Sequence, residues 1–300
     1  ESQDLEGLVA YIAKSQPKNV ICMLGAGLST AAGIPDFRSP GTGLYDNLQR
    51  YNLPEPQAVF DLNFFREQPQ AFYDLAKELW PTGEKYRPTK SHYFIKMLEE
   101  KGILLRCYTQ NIDMLEQLAG ISPGKIIAAH GNFAKAHTLK GVEVPVKELE
   151  EAVFLGVDAC LALADKYGAL AKPDIVFFGE SLPEAFHDGI LEDFPQCDLL
   201  LVMGTSLAVA PFNQLIRRVP KHCPRVLVNR EAVGLDTGGG IGGTIYGGFR
   251  FTPPAPGCRD VFLEGDLDTR VAELSRHLGW EETLNTLQEK AESQQKVARK

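Results

Sequence analysis

The chain is poor in cysteine, and what it has is scattered. Cys22, Cys107, Cys160, Cys197, Cys223 and Cys258 are the whole set in 300 residues, and no two lie within four residues of each other. Metal knuckles and dense disulfide scaffolds need paired or patterned spacing, so buried structural thiols in a reducing compartment are expected instead. The chain also lacks any apolar run near the ~18 residues that a membrane span requires. Runs of Lys or Arg are missing too, and 31 basic against 39 acidic side chains give a formal net charge of −8. That balance gives no reason to expect an extended nucleic-acid surface. The first residues, Glu1-Ser2-Gln3-Asp4, are acidic and have no signal- or transit-peptide character.

What is present suits a globular chain able to bury a large core: 44% hydrophobic and 23% charged residues. Leu5, Leu8, Val9 and Ile12 have helical spacing, and Asn19 to Leu24 is a short apolar run ending at Gly25. Such a run reads as a buried parallel strand. A helix-like stretch follows from Ser29 to about Gly33. Residues 44–102 turn helical and aromatic, with Phe60, Phe64, Phe65, Phe72 and Tyr73 expected to pack a small lobe. Strand character returns at 103–109 and again at 126–131, a short strand running into a turn, and one helix is expected over about 147–166. Three further strand-like runs, 174–178, 199–203 and 225–229, each end at a polar or glycine-rich turn. Strand, turn and helix in repetition predict an α/β fold with a Rossmann-like, doubly wound parallel sheet and a smaller, mainly helical lobe. The expected division assigns 1–45, 103–132 and 172–291 to the sheet domain and 46–102 with 133–171 to the small lobe. Residues 237–248 hold seven glycines and read as a long loop, and 292–300 as a frayed tail.

Several segments could carry chemistry. Gly25-Ala26-Gly27-Leu28-Ser29 sits between a strand and a helix-like stretch, the setting of a dinucleotide phosphate loop. The third glycine of that pattern is Thr30 here, so a plain strand–helix turn stays open. Gly33-Ile34-Pro35-Asp36-Phe37-Arg38 presents an acid, an aromatic ring and a guanidinium, either as a lid or as a loop with a surface ion pair. Gln110-Asn111-Ile112-Asp113 and His130-Gly131 fall at strand ends, the edge where open α/β sheets bind ligands. Asn and Asp also cap helices, but imidazole at that edge suits general-base work. The other five histidines have no such setting. Lys172 to Glu180 could accept an extended peptide by β-addition, or be only a strand. Gly204-Thr205-Ser206 and Asn229-Arg230-Glu231 offer hydroxyls, an amide and a carboxylate suited to ribose.

Together and in this order, these segments resemble the sirtuin family, nearest its eukaryotic branch around sirtuin-2 and sirtuin-3. Thr42 to Leu48 and Leu105 to Thr109 also resemble that branch, and the glycine-rich loop leans toward the cytosolic type. The resemblance implies NAD-dependent deacylation of protein lysines, yielding free lysine, nicotinamide and O-acyl-ADP-ribose. It implies His130 and Asn111 as the catalytic pair. It places NAD on Gly25, Ala26, Gly27, Ser29, Asp36, Phe37, Arg38, Gln110, Asn111, Asp113, Gly204, Thr205, Ser206, Asn229, Glu231, Asp266 and Leu267. Acyl-lysine would lie along Val176, Phe177, Phe178, Gly179 and Glu180, with acetyl or longer apolar chains favoured over acidic ones. A monomer in the cytoplasm, with the nucleus possible, or in mitochondria if a leader precedes the chain, is expected. One departure is plain. Sirtuins carry two Cys-x-x-Cys pairs between the His-Gly and Pro-Asp segments, whereas 133–171 holds only Cys160 and His137. Structural zinc needs four such ligands, so no metal is expected there. A protein ADP-ribosyltransferase and a low-activity NAD- or ADP-ribose-binding variant remain the alternatives.

Overall fold

The computed structural model describes residues 2–34, 51–82, 85–236, 247–251 and 259–297. Its centre is a six-stranded, all-parallel sheet: β1 (Val20–Leu24), β2 (Leu104–Thr109), β3 (Ile126–Ala128), β6 (Leu199–Met203), β7 (Arg225–Asn229) and β8 (Asp260–Glu264). The spatial order is β3-β2-β1-β6-β7-β8. The chain works outward from β1 on one side, then returns to β1 and works outward on the other. The strand order therefore reverses between β1 and β6, which makes that gap the crevice of a doubly wound sheet.

Every residue of β1 and β6 is buried. Their side chains alternate between two cores. Val20, Cys22 and Leu24 meet helices α1 (Leu5–Ser15), α4 (Lys90–Glu100) and α9 (Leu267–His277) on one face. Ile21 and Met23 meet α8 (Glu184–Glu192) and the turn Phe212–Arg217 on the other. Burial on both faces is why these strands read as continuous apolar runs and not as alternating ones. A third core, around Phe65, Phe72, Tyr73, Phe133, Leu149 and Phe177, belongs to the smaller lobe. That lobe includes α2 (Leu62–Glu67), α3 (Pro69–Leu79), α6 (Val146–Leu155) and α7 (Val157–Tyr167).

The sequence reading needs three corrections. The strand expected at 174–178 is Ala171–Ile175 (β5), and it lies outside the main sheet, pairing antiparallel with Gly131–Thr138 (β4). Apolar periodicity cannot say which sheet a run joins. The single helix expected over 147–166 is two, broken at Gly156 with φ +118°. The helix expected after Ser29 is a pair of 3-10 turns, Ala26–Leu28 and Thr30–Ala32. The loop at residues 237–246 and Cys258 fall outside the described residues. The other five cysteines are buried free thiols.

A buried ion pair secures the far half of the sheet. Arg225 and Asp260 side chains are only 4% and 2% exposed. Arg225 donates five hydrogen bonds: to both Asp260 oxygens at 2.7 and 2.6 Å, and to the carbonyls of Ile216, Gly247 and Gly248 at 2.8–2.9 Å. Breaking a buried pair strands its partner's charge, so Arg225→Met is expected to cost roughly 3–5 kcal/mol. Pairing it with Asp260→Leu should recover much of that loss. Urea unfolding of the two variants measures both, and equal losses in the two would contradict this reading.

Candidate active site

The site is built where the loop after β1 touches the loop after β6. Gly25 N–H donates to Met203 O at 3.1 Å, and Gly27 N–H donates to Gly204 O at 2.8 Å. A Cβ on Gly27 would fall 2.8 Å from the Gly204 Cα, and one on Gly204, itself at φ +61°, would fall 2.6 Å from the Leu28 nitrogen. The glycines are thus required by backbone-on-backbone approach. Gly25, Gly27, Leu28 and Ser29 all spend their N–H groups on protein carbonyls. The expected picture of glycines freeing amides for a phosphate under a helix N-terminus is therefore amended. These glycines set the spacing of the crevice walls, and only short 3-10 turns follow them.

The chain after β2 crosses this junction. Gln110 N–H continues the ladder to Leu24 O, and its side-chain amide donates to Thr205 Oγ1 at 2.8 Å. Asn111 is 8% exposed. Its amide donates to Gly25 O at 3.1 Å and to Ser29 Oγ at 3.3 Å, while its N–H donates to Thr109 Oγ1. Asp113 accepts from the Leu115 N–H, and burial pushes its carboxyl pKa up against the hydrogen bonds from Ser29 and Leu115.

His130 is held from two sides. Its Nδ1 lies 3.2 Å from Gln110 O, and its own carbonyl accepts from Val176 N–H at 2.8 Å. A carbonyl only accepts, so Nδ1 carries the hydrogen and Nε2 keeps the basic lone pair. Burial lowers the imidazole pKa below its ordinary 6.5. The following residue must be glycine: Gly131 stands at φ +66°, and a Cβ there would lie 1.7 Å from Asp174 O on β5.

Beyond β5 the chain lays down the wall expected to meet substrate. Phe178 is 55% exposed, and its N–H and carbonyl pair with Phe60 O and Leu62 N. Phe177 is 1% exposed and stacks edge-on in the lobe core against Phe60, Phe65 and Phe72. Only its edge or backbone can line the site. Glu180 closes the turn, accepting from Phe177 N–H at 2.8 Å and pairing with Lys172 at 2.9 Å. Its carboxylate is committed to the protein.

One cavity of about 670 Å³ joins these parts. Within the described residues it is lined by every site candidate read from the sequence: the Gly25 loop, Gln110, Asn111, Asp113, His130, the stretch from Val176 to Glu180, Gly204 to Ser206, Asn229, Glu231, Asp266 and Leu267. Asp36, Phe37 and Arg38 lie outside the described residues. Asn229 donates to Glu231 O, and Asp266 caps α9 by accepting from Thr269 N–H. Sequence reasoning missed the cavity's apolar end, where Phe60, Leu75, Leu79 and Ile112 contribute. Phe60, Leu75 and Leu79 fall in the stretch read as helical lobe packing, and Ile112 in the Gln110–Asp113 segment drew no role of its own; nothing in either pattern marks a residue as facing a cavity. In the segment between β4 and β5, Cys160 is buried with its thiol pKa pushed up to about 12, and His137 Nδ1 sits 2.8 Å from Asp174.

A doubly wound sheet with Asn, His and a glycine loop converging on its switch point defines an α/β protein with a nucleotide-type site. The model of the Sir2 family matches residues 25–211, and the chain belongs to that family. It is 46% identical over 286 residues to the NAD-dependent protein deacetylase sirtuin-2 of Danio rerio, covering 94% of this chain and 74% of that one. It is 48% identical to the NAD-dependent deacetylase sir2A of Dictyostelium discoideum, covering 94% of this chain but 53% of that longer protein. It is 44% identical to the NAD-dependent protein deacetylase hst2 of Schizosaccharomyces pombe, covering 95% and 80%.

The His130 environment predicts its titration. Because burial disfavours the imidazolium, the folded pKa lies below the unfolded one, so this residue costs the fold stability as pH falls through 6.5. Imidazole C–H resonances in an NMR titration should place His130 below 6.5, and a midpoint at or above that value would contradict the assigned environment.

Proposed function

We propose that this chain removes acetyl groups from protein lysines in an NAD-dependent reaction. The observation that carries the reading is the convergence of His130, Asn111 and the Gly25 loop on one cavity at the switch point of the sheet. The printed names of the three relatives support it.

The residues fit the dinucleotide. Thr205, Ser206, Asn229 and Glu231 at one end of the cavity have the hydroxyl, amide and carboxylate chemistry that adenosine and its ribose require. Asn111 and Asp113 at the other end suit the nicotinamide ribose and carboxamide. The cavity's volume of about 670 Å³ falls within the usual range for cofactor sites. When bound, NAD supplies an electrophilic ribose carbon and a departing nicotinamide. Asn111 presents an amide already oriented by Gly25 and Ser29, so little ordering remains to be done on binding. His130 Nε2 takes a proton from a ribose hydroxyl, and the Nδ1–H bond to Gln110 O steadies the imidazolium that results. The acylated lysine lies along Val176 to Gly179, with its acyl chain against Phe60, Leu75, Leu79 and Ile112. That apolar wall suits acetyl or longer fatty chains and offers nothing to a carboxylated one. We also infer that the lobe segment 133–171 is held by packing around Leu149, Val153 and Cys160 in place of zinc, and that the protein acts as a monomer.

Nicotinamide release and peptide deacetylation, followed with and without acetyl-lysine peptide, test the proposal. Wild type should require the peptide for fast release, Asn111→Ala should lose release by about 10²-fold or more, and His130→Ala should lose deacetylation by a similar factor. Labelled ADP-ribose on protein without deacetylation would overturn the reading in favour of ADP-ribosyl transfer. One zinc per chain by metal analysis would overturn the packing-only lobe.

A further inference from the structure

Behind Asp113, away from the cavity, lie two buried polar side chains that the proposed chemistry leaves without a role. His92 on α4 is 0% exposed, and Glu116 on the short helix Leu115–Leu118 (α5) is 2% exposed. One polar side-chain atom from each of His92, Asp113 and Glu116 lies within 4.8 Å of the other two. His92 Nε2 and Glu116 Oε1 have no hydrogen-bond partner in the protein. An unpartnered buried polar atom costs about 1–3 kcal/mol, and two on neighbouring side chains call for an account.

The tautomer of His92 supplies part of it. Thr89 N–H donates to His92 Nδ1 at 3.1 Å, and the Thr89 hydroxyl lies 2.8 Å from the same nitrogen. This is a helix-capping arrangement in which His stands where Glu or Gln is usual. Since Nδ1 accepts, Nε2 carries the hydrogen. It is a donor, not a metal ligand. The groups around Glu116 are few. Asp113 comes from the loop before α5, His92 from α4, and Cys107 and Thr109 from β2. Burial lowers His92 to a pKa of about 3 and raises the Cys107 thiol, so both are neutral. Two carboxyls this close in the interior cannot both stay ionised, and one proton is shared between them.

We propose that Glu116 and His92 are positioning residues for Asp113: a proton held on Glu116, with neutral His92 packed beside it, leaves Asp113 the one charge of the cluster, so that it stays charged and turned to the nicotinamide end of the cleft. The inference rests on the reading of Asp113 as an NAD contact. Each carboxyl accepts bonds that favour its charge, Asp113 from Ser29 and the Leu115 N–H, Glu116 from Thr109 and its own N–H, and Glu116 is the better place for the proton because it is buried more completely. Burial and the Asp113 charge raise Glu116 to a pKa of about 8. The arrangement is therefore complete below pH 8 and is lost above it, when two carboxylates face each other and Asp113 is displaced.

The test compares NAD affinity by calorimetry and the KM and kcat for NAD in wild type, Glu116→Gln and Glu116→Leu between pH 6.5 and 9.5, with unfolding midpoints alongside. Wild type should lose NAD affinity above about pH 8. Glu116→Gln, which keeps a neutral hydrogen-bonding group, should hold neutral-pH affinity within about threefold and show no alkaline loss. Glu116→Leu, which removes the polar neighbour but fills the space, should raise KM for NAD roughly tenfold, about 1.4 kcal/mol of lost support for Asp113, without lowering the unfolding midpoint. An unchanged KM in Glu116→Leu, or an alkaline loss that persists in Glu116→Gln, overturns the positioning role. If wild type itself fails to bind NAD, the cofactor reading falls and this inference falls with it. Wild-type binding with unaltered variants overturns the inference alone.

Discussion

The organisation of this protein depends on one close backbone contact. The loop leaving β1 and the loop leaving β6 meet so tightly that Gly27 donates directly to Gly204 O, with no room for a Cβ on either side. Parallel strands diverge where the chain changes direction, and a crevice opens above the divergence. Here the glycine contact draws its two lips together and fixes their separation. Everything chemical is then referenced to it. Asn111 hangs from Gly25 O, Gln110 reaches across to Thr205, and His130 leans on Gln110 O. A displacement of either loop would move all three together, so their relative geometry is preserved even where the absolute position shifts.

The smaller lobe is tied to this frame at a second glycine. Gly131 lets β5 pass against the backbone just after His130, and Val176 N–H then bonds to His130 O. His130 and the wall from Val176 to Glu180 are thus neighbours at the end of one short antiparallel pair. Lys172 closes the far side of that pair. Its ammonium lies 4.6 Å from the Phe177 ring, 2.9 Å from Glu180 and 2.7 Å from Ile175 O, so a buried charge is fully engaged. These fastenings lie on β4, β5 and the turn that follows, apart from helices α6 and α7 between the two strands.

Much of this was legible in the chain before any coordinates. Strands ending in polar or glycine-rich turns announced a doubly wound sheet, and His130 and Asn111 were singled out because both fall at the ligand edge of such a sheet. What escaped was long-range. The run at residues 171–178 looks like a strand of the main sheet, since nothing local records which neighbour a strand will choose. The helix broken at Gly156 contains a glycine whose meaning depends on how two helices pack on α3. Leu75 and Leu79 look like core residues because a cavity wall and a core face share one period. His92 was set aside with the other histidines and nothing singled out Glu116: one sits in a helix cap, the other on a four-residue helix, and only the fold brings them close to Asp113.

The central claim is that NAD lies across the β1–β6 crevice with its reactive ribose between Asn111 and His130 and the acyl-lysine beside Val176. A crystal structure of the chain with a non-hydrolysable NAD analogue and an acetyl-lysine peptide tests it most directly. The account predicts the nicotinamide ribose within hydrogen-bonding distance of both side chains, and the peptide backbone running along residues 176–179. An analogue bound away from the Gly25–Gly204 junction, or a peptide seated elsewhere, would contradict it.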